Sequence, residues 1–196
     1  LVADPQETYR SAEAERAYGG AGSPTKSPGK SPARVTGGAV RVVVGNLILA
    51  PALLQSSEVL DVWVEVDVPG LSDAQLQTAA RRKNDPPLDF GFSQTLQANK
   101  MLPALRNALR SADELDADVY FILKGRAAPT GGGRVLGQGV INLRTLLHHK
   151  ADWDERPLAI HAAAGGAPVP GPFDAGVVGE LTVSLIAHAA LRRAAQ

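Results

Sequence analysis

Four histidines are the residues best suited to shuttle protons or hold a metal, and their spacing assembles no site. His148 and His149 are adjacent, so on a helix they do not share a face, and His161 and His188 stand far from them. No His-Glu-x-x-His, Gly-x-Ser-x-Gly or complete Gly-x-Gly-x-x-Gly pattern occurs. Gly131-Gly132-Gly133 imitates a phosphate-cradling loop, but a strand-like run follows it where a phosphate site needs a helix N-terminus. Gly29-Lys30-Ser31 imitates the close of a P-loop, yet Pro24 stands where the first glycine belongs and no strand precedes it. Asp113, Glu114, Asp116 and Asp118 form an acidic cluster with no partner for acid–base work, and they read as a solvated turn. With no Cys, thiolate metal sites, iron–sulfur clusters, disulfides and cysteine nucleophiles fall away together. The expectation is a binding protein without catalytic residues, metal or cofactor.

The elements that would position a binding surface are bounded first by composition. The 196 residues suit one ordinary domain and an appendage, at about 150 residues per domain. Twenty Lys+Arg balance twenty Asp+Glu, so the whole chain carries no bias towards nucleic acid or an anionic membrane. An apolar fraction of 44% is enough to build a core. No apolar run approaches the roughly 18–20 residues that span a bilayer. The start at Leu1 shows no signal-peptide pattern and reads as a piece of a longer chain, with a cytoplasmic location the default.

Residues 1–18 hold one helix signal, Asp4-Pro5-Gln6-Glu7, followed by a polar run without an apolar stripe. This is a short polar helix or the tail of an upstream one. Residues 19–38 are dominated by Gly, Ser and Pro and contain no acid, which predicts a flexible basic linker. Within it Ser23-Pro24, Ser27-Pro28 and Ser31-Pro32 recur every four residues, each followed closely by Lys or Arg. Ser23, Ser27 and Ser31 are candidate phosphorylation sites, each phosphate adding about −1.5 to −2 charge.

From Val40 the pattern changes to short alternating runs. Val62, Val64, Val66 and Val68 alternate with Asp61, Trp63, Glu65 and Asp67, predicting a strand with one buried face. Leu88 to Phe92, Val119 to Leu123 and Leu181 to Leu185 alternate in the same way, and Val40 to Leu49, Val135 to Asn142 and Leu158 to Ala162 complete the set. Leu76 to Arg82 is a candidate edge strand. Only Gln97 to Ser111 has helical spacing, through Met101, Leu102, Leu105 and Leu109, with Pro103 better suited to its first turn than its interior. The fold class is all-β: an eight-stranded antiparallel sandwich with one inserted helix.

The order of these runs, from Val40-Arg41-Val42-Val43-Val44 to Gly179-Glu180-Leu181-Thr182-Val183-Ser184-Leu185, resembles a C2 domain over residues 39–188, with a short helical tail at 189–196. More narrowly it is similar to the C-terminal C2 domain of the retinitis pigmentosa GTPase regulator-interacting protein family. That likeness is carried by Val62-Trp63-Val64-Glu65-Val66 running on to Pro69-Gly70-Leu71, by Phe90-Gly91-Phe92-Ser93-Gln94, and by Val178-Gly179 to Leu185. The resemblance implies a scaffold of the ciliary transition zone and basal body whose C2 domains bind proteins and not calcium. The partners it implies are a propeller like that of the GTPase regulator itself (RPGR-like) or a nephrocystin-type protein.

The residues bear on calcium independently. Calcium takes roughly six to eight oxygen ligands. In a C2 domain they come from loops corresponding here to 50–60 and 125–134; the first offers only Glu58, with Asp61 opening the next strand, and the second has no acid but Arg126 and Arg134. Two carboxylates facing two guanidiniums cannot build that shell. Lipid binding without calcium is the alternative, with Leu53 and Leu54 inserting and Arg81, Arg82 and Lys83 attracting anionic headgroups. The candidate protein-binding residues are Trp63 and Glu65 on the polar face of their strand, Trp153, and the helical pair Met101 and Leu105. Each apolar one has a competing structural role: Trp63 under a loop, Trp153 beneath the turn before Leu158, and the helix stripe on its own sandwich.

Overall fold

The computed structural model describes residues 38–70, 76–128, 132–163 and 176–196. The arm 1–18, the linker up to 37 and its serines Ser23, Ser27 and Ser31 lie outside the described residues. In chain order the strands are β1 (Val40–Leu49), β2 (Asp61–Asp67), β3 (Leu76–Gln77), β4 (Arg81–Arg82), β5 (Leu88–Leu96), β6 (Asp118–Arg126), β7 (Arg134–Asn142), β8 (Trp153–Ala162) and β9 (Val177–Ile186). The helices are α1 (Pro51–Gln55), α2 (Ala98–Arg110), α3 (Leu143–His149) and α4 (His188–Ala195). All the ladders are antiparallel and follow one path, β3-β2-β6-β7-β8-β9-β1-β5, with β4 also on β2.

That path folds into two layers, β3/β4-β2-β6-β7 over β8-β9-β1-β5. They join at one corner, where β7 and β8 share only the pairs Gly137–Ala162 and Gln138–His161. A methyl group on Gly137 would come within 2.4 Å of the His161 carbonyl oxygen, so the corner closes only over glycine. Between the layers Val42, Val44, Val62, Val64, Phe121, Leu123, Ile160, Leu181 and Leu185 are fully buried. Each contributes about 1.5–3 kcal/mol by leaving water.

Three expectations change. The edge expected as one strand from Leu76 to Arg82 splits into β3 and β4, because Thr78 intervenes. Its hydroxyl accepts from the Val64 N–H at 3.0 Å while its own N–H donates to the Val64 carbonyl at 2.9 Å, a side-chain substitute for the ladder. Pro103 lies inside α2 rather than in its first turn. Its missing N–H leaves the Asn99 carbonyl without its helical donor, at a point where both residues face solvent. β2 is buried on both faces from Asp61 to Val64, not on one.

Helices α2, α3 and α4 gather at one end of the sandwich. Met101, Leu105 and Ala108 of α2 are buried there, as are Ala190, Leu191 and Ala194 of α4 and Leu143 and Leu146 of α3. The expected C-terminal tail is thus part of the core. Side chains hold the chain where these helices begin: Asn142 Oδ1 accepts from the N–H groups of Arg144 and Thr145, and Asp152 Oδ1 from those of Ala187 and His188, the latter two both at 2.7 Å. The acidic cluster turns inward on itself in the same region. Asp113 accepts from Leu115 N–H, Asp116 from the Ser111 hydroxyl, and Asp118 from Asn142. His148 and His149 close α3 with their rings edge to face, 5.4 Å between centroids.

Candidate functional site

The opposite end carries α1 and the loops that follow β1, β4 and β6. Its carboxylates are already engaged. Asp61, with a side chain 10% exposed, sits between Arg82 Nε at 3.5 Å and Arg126 Nε at 3.0 Å. Glu58 pairs with Arg134 at 2.6 Å, both well exposed. The four charged residues that the sequence sets against each other therefore meet as two ion pairs, Asp61 with Arg126 across the end of the β2–β6 ladder and Glu58, in the loop after β1, with Arg134 at the start of β7. A carboxylate facing guanidinium forks has its lone pairs committed to N–H donors, and a cation would have to displace an arginine to reach it. Among the described residues no group of three His, Asp or Glu side chains converges to hold a metal.

The basic trio does not form one patch. Arg81 is exposed and Arg82 leans on Asp61, but Lys83 is only 4% exposed. Its ammonium donates to the carbonyl oxygens of Leu53, at 3.1 Å, and of Ser56. Lys83 is thus corrected from a headgroup contact to a latch that satisfies carbonyls at the C-terminal end of α1. The two leucines of α1 also divide. Leu53 packs against the core and Leu54 remains 41% exposed.

Beside Leu54 runs an apolar groove of about 480 Å³, lined chiefly by Ile48, Leu49, Leu54, Pro86, Pro87 and Leu88. Ile48 on its rim is 52% exposed. Sequence reasoning missed this groove. Its signal was the Pro86-Pro87 pair beside a solvent-facing isoleucine, but the bulge between Val44 and Leu47 shifts the inward parity of β1 and hides which residue faces out.

The protein-binding candidates divide. Trp63 does not project as an exposed anchor: it is 8% exposed. The chain at Gly133 lies on its ring, where a methyl group would stand 2.2 Å from the indole Cη2. Trp63 Nε1 donates to Glu65 Oε1 at 3.2 Å, and Glu65 pairs with Lys124 at 2.6 Å. The Arg126 guanidinium lies 5.8 Å from the Trp63 centroid, extending the Asp61 cluster over the indole. Trp153 is half-buried against the core, its Nε1 donating to the Arg156 carbonyl at 3.4 Å and the Arg156 guanidinium 5.8 Å from its centroid. Met101 and Leu105 face the domain's own interior. Of the five, Glu65 and the Trp153 indole N–H keep polar atoms near the surface, and both are already paired.

Among the described residues one titration is displaced. Burial pushes the Tyr120 phenol up from its ordinary value, reinforced by the charge of Asp118, by their hydrogen bond, and by the charges of Asp113 and Asp67.

No family model and no curated protein matches this chain. Among solved structures, the chain is similar to CC2D1B, in work described as "CC2D1B coordinates ESRCT-III activity during the mitotic reformation of the nuclear envelope", with 17% identity and a TM-score of 0.51. That match covers 81% of this chain and 59% of CC2D1B, so the chain spans well under two thirds of its neighbour. A C2 domain-containing protein from a putative elicitor-responsive gene matches at 11% identity and a TM-score of 0.45, over 76% of this chain and 86% of that one. A C2 domain of plant Extended Synaptotagmin 1 matches at 12% and 0.45, over 76% and 92%. The nine antiparallel strands and the helices at one end form a sandwich of the C2 type.

Proposed function

We propose that this domain is a calcium-independent, protein-binding C2 module of a ciliary scaffold. The observation that carries the calcium-independent reading is Asp61 held between Arg82 and Arg126, with Glu58 on Arg134. The ciliary setting rests on the resemblance in the Val62–Leu71, Phe90–Gln94 and Val178–Leu185 stretches, and the partner it implies is a regulator-type propeller or a nephrocystin-type protein. The test is calorimetric titration with calcium, sedimentation with phosphatidylserine vesicles, and pull-down with each purified candidate partner. Silence in the first two and capture of one partner is the expected result. Calcium heat at a stoichiometry of one or two would overturn the reading.

A second reading, a peripheral membrane module, is favoured by exposed Leu54 of α1 and Ile48 near the end of β1, which lie on the same apolar groove. The burial of Lys83 weakens it by removing one of three cations from the headgroup contact. Calcium-independent sedimentation with vesicles, lost in Leu54→Ser, would put this reading first.

A further inference from the structure

The two edges of the sheet path are built differently. The β3/β4 edge consists of two-residue strands, carries Arg81 and Arg82, and runs into Pro86-Pro87. These are the usual guards against edge-to-edge pairing. The β5 edge is nine residues long, contains no Lys, Arg or Pro, and among the described residues pairs with a strand on one side only, β1. Its one guard is local. Near its start the register with β1 slips between Phe92 and Asp89, Gly91 takes φ +54°, and the Asp89 carboxylate accepts from the Gly91 N–H. Beyond that bulge Phe92 to Leu96 pair regularly with Val44 to Val40, ending just before α2.

We propose that this five-residue edge joins two copies of the chain, β5 against β5, about a two-fold axis at Gln94. An antiparallel strand paired with itself must be complementary to its own reverse. Here Phe92 falls opposite Leu96, Ser93 opposite Thr95, and Gln94 opposite Gln94 of the second copy. Hydroxyl meets hydroxyl, and an amide that both donates and accepts meets its equal, while Phe92 and Leu96 stay packed on their own core and set no charge against the partner. A charge at the centre would face its like, and the segment has none. The nearest cation, Arg41, sits one strand inward and donates from Nε to Ser93 Oγ at 3.1 Å, which leaves the Ser93 O–H to donate across the axis. Every second residue turns its N–H and C=O to the open side, so the two strands satisfy each other's backbone groups. A hetero-partner would need no such self-symmetry, and this selects a second copy as the occupant. The contact is small, so the association is weak, about micromolar or weaker.

The test uses the full chain and charge exchange at the axis. In sedimentation velocity across a concentration series, the wild type shifts towards dimer as concentration rises. Gln94→Lys and Gln94→Glu each place like charges face to face and weaken self-association by about tenfold or more. An equimolar mixture of the two restores a one-to-one heterodimer, which neither misfolding nor contact elsewhere in the chain would produce. Hydrogen exchange at the alternate amides of 92–96 that point away from β1 slows with concentration in the wild type and in the mixture. A wild type that stays monomeric to about 1 mM, a dimer indifferent to both substitutions, or a mixture that fails to associate overturns the proposal. So does capture of an extended peptide from another protein at β5 while the chain itself remains monomeric.

Discussion

The two ends of the sandwich use their apolar residues in opposite ways. At the helical end α2, α3 and α4 turn Met101, Leu105, Leu146 and Leu191 onto each other and onto the layers beneath, and Leu115, in the turn before β6, is the large apolar side chain left 64% exposed there. At the loop end a five-residue helix and a few turns leave Ile48 and Leu54 in solvent beside an apolar groove. Both ends have similar raw material, so the difference lies in the elements. A thirteen-residue helix presents a stripe long enough to dock, whereas α1 has no fully buried residue and is held by its ends. One end is therefore architecture and the other is available surface.

Substitutions break this contrast most strongly at the helical end. Leu105→Ala removes a fully buried side chain and is expected to cost about 2–5 kcal/mol in chemical unfolding. Leu54→Ser should leave unfolding within about 0.5 kcal/mol of wild type. If the two cost the same, the ends do not differ as described. Next in size, Lys83→Met removes the Ser56 carbonyl's side-chain donor and leaves the Leu53 carbonyl only the long bond from the Ser56 N–H at 3.3 Å, an expected loss of about 1–3 kcal/mol. Hydrogen exchange should show the loss concentrated at residues 51–56, while Arg81→Met, on an exposed neighbour, should change little.

The smallest effect is at Tyr120. Its folded-state pKa is raised, so the stability it contributes is fully present below about pH 10, the ordinary value, and is lost as pH rises beyond it through the folded value. With Tyr9→Phe and Tyr18→Phe, Tyr120 is the one phenol left in the chain. Its phenolate absorbance should then titrate above the ordinary midpoint, and Asp118→Asn should bring the midpoint part of the way back.

Much of this was legible in the residues. The alternation from Val62 to Val68 and the 3–4 spacing of Met101, Leu105 and Leu109 are local signals, and β2 and α2 follow them within a residue or two, whereas β5, β6, β8 and β9 run three to five residues beyond the alternating runs at one end. The engagement of Glu58 and Asp61 was legible by opposition of charge, since the loops that meet carry two acids and two arginines. What stayed hidden depends on distant chain. Trp63 sits among Asp61, Glu65 and Asp67, which reads as a solvent face, and only the arrival of Gly133, seventy positions on, covers it. Lys83 looked like the third member of a basic run because sequence adjacency carries no information about which side of a chain turns inward. The groove stayed hidden because a single bulge in β1 inverts the parity on which strand reading depends.

The point where the chain joins the domain also bears on function. Gly38, just before β1, lies against α4, where a methyl group on it would be 3.1 Å from Arg193 Cδ. Entry and exit are thus neighbours on the helical end. Both points of attachment lie at the end of the domain away from α1 and the apolar groove. A resin coupled directly at Gly38 or after α4 is therefore anchored away from the groove. The same resin coupled between Lys83 and Leu88 would block it.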